Sequence, residues 1–124
     1  MLLDSNIIIY AAKPGYSDLR RFIQDHSPAV SAVSYVEVLG YHRLTKRERE
    51  LFETFFTAAK VLPISEAVLN QAVRLRQARK MSRADALVAG TALAHGLTLV
   101  TRNMKDFEWI DNLSLLDPFK PSSP

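Results

Sequence analysis

The sequence predicts an α/β fold, a three-layer arrangement around a mainly parallel sheet. Two observations carry that expectation. Short apolar runs that suit buried strands alternate with longer stretches of helical periodicity, the pattern of successive strand and crossover-helix units. The 124 residues also contain no internal repeat, linker or low-complexity block, and a chain of this length suits one domain that buries roughly two-thirds of its unfolded surface.

Leu2 to Asp4 reads as a short buried strand, followed by a turn of helix through Ile7, Ile8 and Ile9. Asp18 to Gln24 suits an amphipathic helix, and Pro28 interrupts before a second strand from Ala29 to Val33. Ser34 is expected to open the next helix. Thr45 begins another, because its spacing to Glu48 fits a capping box and Leu51, Phe52, Phe55 and Phe56 continue one face. Lys60 to Leu62 is a third strand, stopped by Pro63. From Ser65 to Arg79, residues Val68, Leu69, Ala72, Val73 and Leu75 recur near helical spacing. Ser82 to His95 is a helix of small and apolar residues capped by Gly96, and Leu97 to Thr101 is the clearest strand. The domain is expected to span residues 1–117, and residues 118–124, with three prolines and two serines, to fray as a flexible C-terminal tail.

Composition narrows the function. No apolar run approaches the roughly 20 residues of a membrane span, and the N-terminus shows no basic stretch or cleavage pattern of a signal peptide. A cytoplasmic protein without a membrane partner is expected. Cysteine is absent, which excludes disulfide scaffolds and thiolate metal sites. The histidines, His26, His42 and His95, are scattered, and the four glycines form no phosphate-binding spacing. The net charge is +3, with basic clusters around Arg20 and Arg21, from Arg43 to Arg49, and from Arg74 to Arg83. They suit solvated helix faces or sequence-independent contacts to a polyanion such as RNA.

Three apolar stretches each carry one lone carboxylate: Asp4 in MLLDSNIIIYAA, Glu37 in SPAVSAVSYVEVLGY and Asp85 in ADALVAGTALA. Ionised carboxylates are seldom desolvated without a partner, and if these meet, their repulsion calls for a hard divalent cation. In a parallel sheet, ligands sit outside the carboxyl ends of the strands. Asp4 ends the first strand, Glu37 and Asp85 lie three residues after Ser34 and Ser82, and Asn103 and Asp106 follow the strand ending at Thr101. A serine followed three residues later by an acid is also a capping box, so helix capping remains the alternative for Glu37 and Asp85. Ser5 and Asn6 suit turn residues or hydrogen-bond partners around a bound ion.

The segments LLDSNIIIYA, SAVSYVEVL, SRADALVAGTALAHGLTLVTRNMKDF and the terminal DPF resemble the PIN-domain nucleases, and more narrowly the VapC toxins of toxin-antitoxin pairs. The likeness runs to about Phe119. It implies an α/β/α sandwich and a ribonuclease whose acids hold Mg²⁺ or Mn²⁺, with Asp4, Glu37 and Asp85 matching the first three. At the fourth position this chain has Asn103 where many relatives have Asp, and Asp106 matches a recurring acid three residues on. Asn brings a carbonyl oxygen but no charge, which favours one tightly held ion and leaves open a second reading, a weakened module that binds RNA or a partner without cutting it.

The resemblance further implies RNA hydrolysis to a 5′-phosphate and a 3′-hydroxyl, a cognate antitoxin and a homodimer. Mg²⁺ keeps open positions for a phosphodiester oxygen and a water, with Asp4 the central ligand and Asp4 or Asp85 orienting the water. Thr101 and Ser82 are candidates to orient ligands, and Arg83 and Arg102 to grip phosphates. The bulky residues Val36, Leu39, Tyr41, Phe52, Phe55 and Phe56 suit core packing or a groove for an amphipathic segment of the antitoxin.

Overall fold

The computed structural model describes residues 1–119. Strands β1 (Leu2–Leu3), β2 (Ala29–Ser31), β3 (Val61–Leu62), β4 (Leu99–Val100) and β5 (Leu115–Leu116) form one sheet in the order β3-β2-β1-β4-β5. All four pairings are parallel. The connections carry helices α1 (Ser5–Ala11), α2 (Ser17–His26), α3 (Ala32–Leu39), α4 (Lys46–Ala58), α5 (Glu66–Ala78), α6 (Arg83–His95) and α7 (Met104–Phe107).

Side chains alternate across the sheet, and the two cores follow from that. Leu2 and Leu99 face one side with Leu75, Val88, Ala89, Ala92 and Phe107 from α5, α6 and α7. Leu3, Val30 and Val100 face the other with Ile7, Ile8, Leu19, Phe52 and Phe56 from α1, α2 and α4. The result is the expected three-layer α/β/α sandwich.

Local signals explain most helix ends. Thr45 and Glu48 form the reciprocal capping box at α4, with both hydrogen bonds 3.1 Å. Ser65 and Ser82 cap α5 and α6, and Gly96 closes α6 in the left-handed region at φ 63°.

The structure departs from the sequence expectation at β2, α3, α7 and β5, and at the start of the tail. β2 ends at Ser31, which itself caps α3 by accepting the Val33 N–H at 3.1 Å. Ser34 therefore lies inside α3, and Glu37 sits in its second turn rather than its first. The four-residue α7 and two-residue β5 are too short to leave a periodic signature. Of the expected tail, Pro118 and Phe119 fall within the described residues, and Phe119 packs against Tyr10 and Tyr16; residues 120–124 lie outside them. Among the described residues no helix is long and apolar enough to cross a membrane.

The topology selects one place on the sheet. The chain runs outward from β1 to β2 and β3, then returns to the opposite side of β1 as β4. The carboxyl ends of β1 and β4 thus flank the point where the strand order reverses, the crevice where open parallel sheets bind ligands.

On the far core, α5 and α6 approach at Gly90, where an added Cβ would lie 2.9 Å from the Val68 carbonyl oxygen and 3.2 Å from the Ala72 nitrogen. Backbone atoms cannot step aside as side chains do. Gly90→Val is therefore expected to cost about 1–3 kcal/mol of stability, measured by urea denaturation against the parent chain.

Candidate active site

The crevice between β1 and β4 is closed by a side-chain bond. Asp4, in extended conformation directly after β1, caps α1 and accepts the Ser5 N–H on Oδ1 at 2.8 Å. Its Oδ2 accepts the Thr101 hydroxyl at 2.8 Å, across from the end of β4. Thr101 is fully buried, and its Oγ1 also accepts the Asn103 N–H at 3.0 Å. One threonine thus ties the loop after β4 to the carboxylate after β1.

Asp4 is only 6 % exposed, and burial raises its pKa from 3.8 to about 6. The hydrogen bonds from Thr101 and Ser5 oppose the rise, while the negative charges of Asp85 and Glu37 add to it. Asp85 is half-buried in the first turn of α6, and its N–H donates to Ser82 Oγ at 3.0 Å. Its pKa is also raised, by burial first and then by the charges of Asp106 and Glu37, against the hydrogen bond with Ser82. The fold therefore gathers Asp4, Glu37, Asp85 and Asp106 into one electrostatic neighbourhood, although Glu37 and Asp106 are exposed.

Ser5 connects two of these acids. Its N–H holds Asp4, and its hydroxyl oxygen lies 2.8 Å from both Glu37 Oε1 and Ser34 Oγ. A hydroxyl has one proton and a carboxylate oxygen only accepts. Ser5 therefore donates to Glu37, and fully buried Ser34 donates to Ser5. The sequence marks Ser34 as a helix opener; its role as a hydroxyl donor across 29 residues has no local signature.

The remaining candidates are placed less centrally. Asn103 precedes α7 with no side-chain capping bond, and Arg83 is the exposed first residue of α6. Asn6, beside Ser5, has a buried Oδ1 with no hydrogen-bond partner. Arg102 turns away onto aromatic rings, 4.4 Å from the Phe119 centroid and 5.2 Å from that of Tyr10. Among the described residues, no three Asp, Glu or His side chains close into a ready-made chelating group. Glu37 is turned onto Ser5 and Asp4 onto Thr101, and like-charge repulsion opposes closer approach.

A second feature lies beside α1. A groove of about 600 Å³ runs between α1, α2 and α4, floored by Ile8, Ile23, Leu51, Phe52 and Phe55 and rimmed by Lys13, Arg20 and Arg47. Of the bulky residues singled out in the sequence, Phe52 and Phe56 are core, Phe55 lines this groove, and Val36 and Tyr41 are exposed elsewhere on the surface.

Comparison with known proteins agrees with this architecture. The chain is 29% identical over 126 residues to the tRNA(fMet)-specific endonuclease VapC of Shigella flexneri, covering 94% of this chain and 96% of that protein. It is 27% identical to ribonuclease VapC2 of Rickettsia felis, over 92% and 94% of the two chains. Among solved structures, a toxin-antitoxin complex from Klebsiella pneumoniae contains a similar chain, with a TM-score of 0.75, 27% identity and coverage of 97% and 98%. Residues 1–113 match the family model of the PIN domain, and the chain belongs to that family.

Proposed function

We propose that this chain is a divalent-metal-dependent endoribonuclease acting in the cytoplasm as the toxin of a toxin-antitoxin pair. The observation that carries the reading is the Asp4 carboxylate, buried at the switch point with neutral hydrogen-bond donors on both oxygens and two further carboxylates raising its proton affinity. The similarity to VapC ribonucleases supports the same chemistry.

The residues present fit a hard cation. The groups around Asp4 are oxygen donors, as Mg²⁺ and Mn²⁺ prefer, and two residues along the chain Asn6 has a buried carbonyl oxygen that lacks a partner. Asp4, Glu37 and Asp85 would hold the ion, with Asp106 and Asn103 bordering it. When bound, such an ion supplies Lewis-acid stabilisation of a phosphodiester and acidifies water. The chain's own contribution is orientation. Thr101 fixes Asp4, Ser34 and Ser5 hold Glu37 from below, and Ser82 sets Asp85 at the start of α6. Arg83, exposed on the first turn of α6, would meet phosphate oxygens.

The groove beside α1 suits the second partner. Its apolar floor and basic rim match an amphipathic antitoxin segment with acidic flanks, and a toxin-antitoxin complex is the setting of a structural relative. A homodimer is part of the same reading. The open arrangement of the carboxylates favours one alternative, a module that binds RNA without cutting it.

Three outcomes test these assignments. The purified chain is expected to cleave structured RNA in Mn²⁺, and Asp4→Asn to lose at least about a hundredfold in rate, as measured by gel assay. Cleavage unchanged in Asp4→Asn rejects the assignment, and no cleavage by either protein supports the binding module. For metal-free protein the pKa shift has a definite sign. Asp4 binds its proton more tightly folded than unfolded, about 6 against 3.8, so stability present below about pH 4 is lost as pH rises through about 6. Asp4→Asn removes that loss. In chelator near pH 8 it should be more stable than the parent by up to about 3 kcal/mol, a gap that closes near pH 4 in urea titrations. Finally, Leu51→Glu, which places a charge in the groove at a side chain 41% exposed, is expected to weaken capture of the co-expressed antitoxin at least about tenfold in pull-down titrations, with an unchanged melting temperature.

A further inference from the structure

The residue after Thr101 does something the carboxylate pocket does not require. Thr101 turns inward to Asp4, whereas the guanidinium of Arg102 lies over Phe119 at 4.4 Å and Tyr10 at 5.2 Å from the ring centroids. The rings brace one another. Phe119 meets Tyr10 edge-on at 5.7 Å and Tyr16 at 5.8 Å, and the two tyrosines are 5.5 Å apart. Lys13 adds a second cation, its Nζ 5.3 Å from the Tyr10 ring. Four separate segments build this cluster: the exits of β4 and β5, the end of α1 and the approach to α2.

An exposed arginine ordinarily samples many rotamers. Here one face of the guanidinium rests on aromatic carbon while the residue as a whole stays exposed. An exposed guanidinium held in this posture can offer its N–H fork, which matches phosphate oxygens, and a planar face of the kind on which unstacked RNA bases lie. The backbone of Arg102 directly follows the threonine that holds Asp4, and its side chain leads from there onto the rings, where a nucleotide flanking the cleaved bond would lie.

We propose that Arg102, stacked on Tyr10 and Phe119, forms a nucleotide subsite for single-stranded RNA, its N–H edge taking a phosphate and its outer face a base next to the cleaved bond. The subsite rests on the ribonuclease reading above. It selects an unpaired strand, because a base inside a duplex cannot leave its stack to cover the guanidinium without the cost of unpairing.

The test is binding without cleavage. The full chain is titrated in EDTA with a fluorescent, unstructured oligoribonucleotide over a series of NaCl concentrations, alongside Arg102→Ala and Arg102→Lys. Arg102→Ala is expected to bind about fivefold to twentyfold more weakly and to lower the slope of log affinity against log salt by about 0.7, the signature of one lost phosphate contact on a single strand. Arg102→Lys should keep the slope and lose several-fold in affinity, since an ammonium keeps the charge but not the planar stack. A merely structural brace for Phe119 would lower the melting temperature and leave the slope unchanged, which overturns the proposal. If Arg102→Ala does not fold, Arg102→Lys decides: parental affinity throughout the salt series overturns the subsite. Equal losses on a duplex of the same sequence also overturn it. Should the parent cleave RNA in Mn²⁺ while all three proteins bind alike, the subsite fails and the ribonuclease reading stands; a parent that neither binds nor cleaves RNA ends both.

Discussion

The bond from Thr101 to Asp4 is the constraint on which the site depends. It spans the reversal of strand order, joins the ends of the two strands that flank it, and fixes a carboxylate where desolvation is strongest. A neutral hydroxyl suits this place. An arginine there would neutralise Asp4 and spend the attraction that a polyoxygen site otherwise directs at a cation, whereas threonine orients the oxygen and leaves its charge available. The second fastening, from Ser34 through Ser5 to Glu37, has the same character. Both use buried hydroxyls to aim acids without cancelling them.

This explains an apparent conflict between folding and function. Burying Asp4 beside other acids lowers the stability of the ionised, metal-free chain, and among the described residues no buried Lys or Arg offsets it. Strain of this kind is common where a site must recognise charge. The remainder of the fold compensates with two apolar cores, one on each face of the sheet, and with side-chain caps at five of the seven helices among the described residues.

Much of the architecture was legible because its signals are local. The Thr45 and Glu48 box, the caps at Ser65 and Ser82 and the closing Gly96 each lie within one turn of the element they bound. Asp4 was legible for a related reason: a lone acid at the end of an apolar run has few other uses. The misplaced start of α3 shows the limit. Ser31 and Ser34 are both plausible caps, and the choice follows from how far β2 pairs with β1 and β3, which is a property of distant segments. The same holds for the hydroxyl contact between Ser5 and Ser34 and for the rings under Arg102, which meet only after folding. Short elements such as α7 and β5 escape periodicity altogether.

Most strands of this sheet contain two residues, so each backbone ladder contributes few hydrogen bonds to alignment. The seam between β1 and β4 has amide bonds from Leu2 to Thr98 and from Asp4 to Val100, and the threonine and aspartate side chains add a further bond at its carboxyl end. Local breathing along that seam and the loss of aligned oxygens are then a single event, which makes the working part of the molecule the natural place for the sheet to begin to part.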